Sequence, residues 1–319
     1  MSERTAGIHH ITAFSRDPQT TVDFYTGILG LPLVKRTVNF DAPDTYHLYF
    51  GDPIGAPGTV ITFFPSSTAR DGKVGGGQPG ITTFAIPAGA SGYWEERLAG
   101  HGIAAACETR FGEAFLQFEN GEGLRMELVE RAEGPEREDD YAGIPSGQAI
   151  KGFGGAVLFS RDYKPTLDAL ENVLGLTKVG EQDGYARFVG TADKGGVIDV
   201  PLTDMEWGKG GVGTVHHIAF RAKDEEELAR WRELLVRGGY EPTEIKDRQY
   251  FHAVYFREKG GILFEIATDV PGFARDEAPG ELGRKLMLPA WFEPRRAELE
   301  AALKPIAVRA ANESQGIGG

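Results

Sequence analysis

Two histidine pairs stand in matching surroundings in this chain. The opening Gly7-Ile8-His9-His10-Ile11-Thr12-Ala13-Phe14 returns late in the sequence as Gly213-Thr214-Val215-His216-His217-Ile218-Ala219-Phe220. Each is a short apolar, β-branched run with two imidazoles at its centre and a helical pattern behind it, so both read as strands that open a repeated unit. Further on, Gly260-Gly261-Ile262-Leu263-Phe264-Glu265-Ile266-Ala267 sets a carboxylate inside an apolar strand, where an uncompensated charge is costly and a metal ion would offset the cost. One imidazole from each pair and one carboxylate, on three separate strands, are the donors of a divalent metal site with open coordination positions. Two matched pairs among only seven histidines point to a non-haem metal enzyme.

Side chains alternate along a strand, so His10 shares a face with Thr12 and His9 with Ile11, and likewise His217 with Ala219 and His216 with Ile218. One histidine of each pair is therefore expected to point away from the site. Glu127 occupies the place of Glu265 in an earlier unit, but Thr83 and Gly154-Gly155 stand where its histidine partners would be. It is expected to pair with Arg125 or face solvent. Taken alone, Arg248 reads as half of a surface ion pair, Tyr255 as a strand aromatic, and His47 as core or pocket.

The elements that must position these groups repeat four times, in units of roughly sixty to seventy residues that each run strand, helix, meander. The first has a strand at 8–14, a helix at 17–29 with Pro18 in its first turn and Gly30 at its end, and strands at 32–40, 46–51 and 59–64. The second has a strand at 81–86, a helix at 92–101 and strands at 114–119 and 124–129. Between them, 71–80 is glycine-rich but lacks the Gly-Lys-Ser/Thr ending of a phosphate loop, so it reads as a flexible linker. The third unit has a strand at 155–159, a helix at 164–174 and strands at 176–180, 185–189 and 197–200. The fourth has strands at 214–220, 241–245, 250–256 and 262–267, and a helix at 224–237 whose Leu228, Trp231, Leu234 and Leu235 form one buried stripe.

An acidic stretch rich in Gly and Pro at 131–145 is the best domain boundary. The expected architecture is α+β: four βαβββ modules forming two paired-module domains with curved mixed sheets, 1–140 and 141–270, and a tail at 271–319. The tail carries a short helix at 295–303, and 312–319 is too polar to order itself.

Composition narrows the partners. With 41% hydrophobic and 25% charged residues the chain reads as a soluble globular protein with a real core. A net charge of −13 argues against nucleic acid and anionic membrane, and no run of apolar residues is long enough to span a bilayer. A single cysteine, Cys107, excludes an internal disulfide, and the N-terminus lacks a secretion pattern, so a cytoplasmic location is expected. A homo-oligomer is the default expectation.

Several strings carry a more specific likeness. His9-His10-Ile11-Thr12, Val34-Lys35-Arg36-Thr37, Tyr46-His47-Leu48-Tyr49-Phe50, Gly55-Ala56-Pro57-Gly58-Thr59, Thr109-Arg110-Phe111-Gly112, His216-His217 and 260–265 resemble the hydroquinone ring-cleaving dioxygenases. These belong to the vicinal oxygen chelate superfamily, with the glyoxalases, catechol extradiol dioxygenases and resistance proteins. The resemblance implies Fe(II), with Mn(II) as the alternative, held by His10, His217 and Glu265. Catechol enzymes take a histidine from the third unit instead, where this chain has Phe153-Gly154-Gly155. It also implies a pocket containing Thr12, His216, Arg248 and Tyr255. His216 would serve as general acid and base, and Arg248 and Tyr255 would stabilise developing negative charge. The implied partners are a small aromatic substrate and O2, both of whose atoms enter a product opened beside a hydroxyl-bearing carbon. The tail around Trp291 would cover the pocket. The rival readings are a glyoxalase-like isomerase or lyase, which usually has four protein ligands, and a metal-free sequestering protein. Three ligands favour oxygen chemistry over the first, and their presence argues against the second.

Overall fold

The computed structural model describes residues 3–308, so the disorder expected at 312–319 lies outside the described residues. The first module comprises β1 (Ile8–Ser15), α1 (Pro18–Val22), β2 (Leu33–Asn39), β3 (Ala42–Phe50) and β4 (Val60–Pro65). The second comprises β5 (Gln78–Ile86), α2 (Ser91–Gly100), β6 (Ala105–Arg110), β7 (Glu113–Glu119) and β8 (Arg125–Glu130). In the third are β9 (Gly152–Phe159), α3 (Tyr163–Asp168), β10 (Thr177–Gln182), β11 (Tyr185–Val189) and β12 (Val197–Pro201). The fourth has β13 (Val215–Ala222), α4 (Glu225–Arg237), β14 (Lys246–Asp247), β15 (Phe251–Arg257) and β16 (Leu263–Pro271), and α5 (Arg296–Ala302) lies in the tail.

The strands form two mixed eight-stranded sheets, ordered β14-β15-β16-β13-β1-β4-β3-β2 and β10-β11-β12-β9-β5-β8-β7-β6. The first sheet thus joins module one to module four, and the second joins module two to module three. Each sheet crosses the sequence division at 140/141. The seams are antiparallel pairs, β1 with β13 and β5 with β9, flanked by parallel pairs to β4, β16, β8 and β12. This pairing brings His9-His10 beside His216-His217, more than two hundred residues apart in sequence, with β16 and Glu265 next in line.

Local sequence explains most elements and the departures from expectation. Helix α4 begins at Asp224, whose carboxylate accepts from the Glu227 N–H (2.9 Å), and buries Leu228, Trp231 and Leu235. Helices α1 and α3 are shorter than their patterns because each widens after one or two turns into a π-helical stretch, Asp23–Ile28 and Ala169–Val173. Strand β6 has no counterpart in the sequence reading. Five of its six residues are exposed, so it carries no inside-outside alternation. The glycine-rich 71–80 is not a free linker. It pairs with 207–212 through Asp71–Val212, Lys73–Lys209 and Gly76–Trp207 bridges, as a strap across the two sheets. None of the described helices is long and apolar enough to cross a membrane.

The tail is fastened by a buried ion cluster. Lys35 on β2 has no solvent exposure and donates to Asp276 Oδ1 (2.6 Å) and Glu277 Oε2 (2.5 Å), while the Tyr250 hydroxyl donates to Asp276 Oδ2 (2.9 Å). Removing one partner of a buried cluster strands the others. Lys35→Met should therefore lower unfolding free energy in urea by about 3–5 kcal/mol, and a loss below 1 kcal/mol, roughly that of a surface pair, would show that the clamp carries no weight.

Candidate metal centre

His10, His217 and Glu265 lie on the three central strands of the first sheet, and one donor atom from each falls within 4.8 Å of the others. All three are buried. His217 Nε2 is 2.7 Å and His10 Nε2 3.3 Å from Glu265 Oε2, and the two Nε2 atoms are 3.3 Å apart. Ligands at right angles around an ion about 2.1 Å away stand about 3 Å from one another, so these spacings suit adjacent positions around one cation. Neither Glu265 oxygen meets a hydrogen-bond donor in bonding geometry. A buried carboxylate without donors, faced by two imidazole nitrogens, fits a divalent metal ion and is hard to reconcile with any neutral filling. Burial would raise the Glu265 carboxyl, but the facing His10 and His217 more than reverse this and hold it well below the carboxylate range. Burial lowers His217, with Glu265 opposing, so that ring also keeps its lone pair at neutral pH.

The first histidine of each pair does not turn away. Along the β1–β13 seam the ladder steps from Ile8–Phe220 to His10–Ala219, and from Thr12–His217 to Ala13–Val215. In each step one strand spends two residues against one, so His9 and His216 are the extra residues of two β-bulges. A bulge breaks the alternation, and each extra histidine swings beside its neighbour. His9 Nδ1 is 2.9 Å from His10 Nδ1, and His216 Nδ1 is 2.8 Å from His217 Nδ1. With the Nε2 atoms of His10 and His217 aimed at Glu265, their protons belong on Nδ1, donating to His9 and His216. His9 then carries its own proton on Nε2 and donates to the Thr268 carbonyl (3.1 Å). Burial and His10 push His9 down to about 3, so it stays a neutral acceptor. The doubled motif is thus two copies of one device, a candidate ligand and the histidine beside it that fixes its tautomer.

A cavity of about 260 Å³ opens over the cluster. His10 and His217 reach its wall, as do His216, Arg248 and Tyr255. Arg248 Nε donates to the Tyr255 hydroxyl (3.1 Å) and Nη2 to Asp41 Oδ2 (2.9 Å), so Arg248 makes the expected surface ion pair and also reaches inward to Tyr255. Burial raises the Tyr255 hydroxyl well above its ordinary value, Glu265 adds to this, and Tyr255 keeps its proton. Thr12 is fully buried and stands behind the wall. It ends a chain in which Tyr49 donates to His47 Nδ1, His47 Nε2 to Thr62, and Thr62 to Thr12, each step 2.8 Å. Because Thr62 fills its acceptor side, Thr12 has its own hydrogen left to give. His47 and Tyr49 line the cavity, and their two-residue spacing in Tyr46-His47-Leu48-Tyr49 was the signal available in the sequence. Trp291 does not reach the cavity. It is exposed and packs edge-on against Phe40 (5.7 Å), which does.

The second sheet shows the same positions filled differently. Along its seam Gly154 and Gly80 occupy the bulges, and Gly155 and Ile81 stand in register with His10 and His217. Thr83, expected in a histidine's place, corresponds to Ala219 instead. Glu127, register partner of Gln117 as Glu265 is of Tyr255, is fully buried. The expectation that it pairs with Arg125 or faces solvent is overturned, since Arg125 binds Glu119 on the surface. Glu127 accepts from both terminal nitrogens of Arg110, from Gln117 (3.0 Å) and from Thr83 (2.6 Å). Arg110 also reaches Asp199 (2.7 Å), which is shared with Arg187. A guanidinium supplies the positive charge here, which leaves no vacancy for an ion.

Comparison with known proteins gives the family of the chain. The model of the Glyoxalase/Bleomycin resistance protein/Dioxygenase superfamily matches residues 7–141 and 152–266. The chain is 50% identical over 309 residues to the Bacillus subtilis protein named "Putative ring-cleaving dioxygenase MhqO", covering 97% of this chain and 99% of that one. It is 32% identical over 312 residues to the chlorohydroquinone/hydroquinone 1,2-dioxygenase of Sphingobium indicum, covering 94% and 96%. The crystal structure of a "putative dioxygenase" from Bacillus subtilis superposes with a TM-score of 0.93 at 49% identity, over 97% of this chain and 99% of that one.

Two outcomes check the site. His9→Ala should weaken metal binding about 10- to 100-fold in a competition titration against a chelator, and unchanged affinity would remove His9 from the site. Arg110→Ala should cost about 3–5 kcal/mol of stability and leave metal content at the wild-type value, whereas loss of metal would move the centre to the second sheet.

Proposed function

The chain belongs to the Glyoxalase/Bleomycin resistance protein/Dioxygenase superfamily, and from that premise we propose that it is an Fe(II)-dependent ring-cleaving dioxygenase of hydroquinone-type substrates. The observation that carries this reading is the donor-free Glu265 carboxylate faced by two imidazoles, both of which line a cavity of about 260 Å³. The cavity lies below the roughly 300 Å³ at which pockets for drug-sized ligands begin. The relatives named as ring-cleaving and hydroquinone dioxygenases support it.

His10, His217 and Glu265 would hold the ion on one face, and Fe(II) there would supply open positions for a ring oxygen and O2 and pass electron density between them. The protein's own part is orientation and charge. Phe251, 4.9 Å from the His10 ring, and Tyr255, 5.6 Å from the His217 ring, flank the cluster and confine a planar substrate. His216 accepts at Nδ1 from His217, which leaves its Nε2–H as a donor toward the cavity, where it can hold a substrate oxygen and give its proton to oxygen that gains negative charge. Tyr255 accepts from Arg248 and directs its own hydrogen outward, so the pair presents a polarised O–H to oxygen that gains negative charge. Thr12, behind the wall, ends the chain through Thr62 that holds His47 and Tyr49 in place on the cavity surface.

The test is oxygen consumption by anaerobically purified, Fe(II)-loaded protein given hydroquinone, methylhydroquinone or catechol. The expected result is uptake with a hydroquinone, with one O2 consumed per ring opened, and a fall of more than about a hundredfold in His10→Ala, His217→Ala and Glu265→Ala, beyond the loss typical of a supporting residue. Bound metal without uptake on any of the three would reject the dioxygenase reading in favour of non-redox chemistry.

A further inference from the structure

The first sheet is open, with β14 and β2 as its edges and β15, β16, β13, β1, β4 and β3 between them. The two edges nevertheless meet, through side chains on the turns that follow them. Asp41, in the turn from β2 to β3, accepts from Arg248 Nη2 (2.9 Å), in the turn from β14 to β15. Both residues line the metal cavity, and the Asp41 side chain is 64% exposed, so the pair stands where the cavity reaches solvent. His10 and His217 line the same cavity but are buried, so they mark its inner end.

Each turn is held from behind by the tail. In the first, Asn39 Oδ1 accepts from the Asp41 N–H (3.0 Å), and Phe40 packs on Trp291 (5.7 Å) and Phe292 (6.2 Å). In the second, Asp247 Oδ1 accepts from the Gln249 N–H (2.7 Å), and Arg275 Nη1 donates to the Gln249 carbonyl (2.7 Å). The turns are thus fixed one by one, and the ion pair spans the gap between them. Arg248 carries the contact inward, because its Nε donates to the Tyr255 hydroxyl. An ion pair open to water on one side is worth only a small factor and weakens with salt. It can therefore part without disturbing the sheet at either edge.

We propose that Asp41 is a positioning residue that latches Arg248 across the cavity mouth, and that parting of this ion pair admits a small planar molecule to the metal centre. Asp41 acts through Arg248 and is no part of the donor set. The inference rests on the proposed metal at His10, His217 and Glu265 and not on the reaction carried out there.

Anaerobic extraction of iron by 2,2′-bipyridine, a neutral planar chelator whose Fe(II) complex is coloured, tests this in a stopped-flow mixer with the Fe(II)-loaded full chain. The rate should rise with bipyridine concentration, and Asp41→Asn should speed it by about three- to fivefold at low salt, the upper part of the range for such a pair. Raising the ionic strength to about 1 M, where the screening length is about 3 Å, should bring wild type up to the rate of the variant and leave Asp41→Asn unchanged. A residue that only shaped its turn would not remove the salt response. Equal rates in the two proteins, a salt response that persists in Asp41→Asn, or extraction independent of bipyridine concentration would overturn the latch. Iron content measured before mixing tests the metal centre separately, and failure of the dioxygenase reading would show as absent oxygen uptake alongside intact latch kinetics.

Discussion

Glu265 is a carboxylate with no solvent and no hydrogen-bond donor, and the centre of the first sheet depends on how its charge is balanced. A lone buried ion of this kind is costly enough to deform a fold or change protonation. Here the two imidazoles of His10 and His217 are turned toward it and keep it ionised. The second sheet meets the same constraint at Glu127 with a guanidinium. One fold, repeated, thus holds a buried carboxylate twice: once with room for a dissociable cation, and once with a tethered one.

The seam between the first and fourth modules makes the difference possible. Pairing β1 with β13 places the two histidine pairs side by side, and the bulges at His9 and His216 let both members of each pair work on the same problem. In the second sheet the bulges survive, but glycine fills them, and Arg110 crosses the space that ligands would need. The bulge is therefore a feature of the module, and the identity of the bulged residue decides whether it orients a ligand or only bends the strand. The buried Lys35 cluster and the Arg248–Asp41 bridge then tie the tail and the first module around the cavity mouth.

Much of this was legible in the sequence, for physical reasons. The four modules showed through hydrophobic periodicity and the glycine and proline punctuation between strands, and the stripe of α4 through its three-to-four spacing. The cluster of His10, His217 and Glu265 was legible because polar residues at the centre of apolar strands are conspicuous. What escaped was whatever depends on register or on long-range partners. A one-residue bulge is invisible to a period-two pattern, so strict alternation sent His9 and His216 the wrong way. Exposed β6 lacked a pattern, and Glu127 could not declare Arg110 as its partner because the two meet only once β6, β7 and β8 are in place. Meeting of the first module with the fourth was legible only through the shared ligand set of His10, His217 and Glu265, since by pattern alone adjacent modules look equally good as neighbours along the chain.

The central claim is that a single cation belongs between His10, His217 and Glu265, with the supporting histidines fixing the ligands. The most direct measurement is anomalous diffraction at the iron edge from crystals loaded with Fe(II) under anaerobic conditions. The account predicts one peak per chain, bonded to the Nε2 atoms of His10 and His217 and to the Glu265 carboxylate, and no peak beside Glu127. A peak at Glu127, or none between the three residues at full loading, would contradict it.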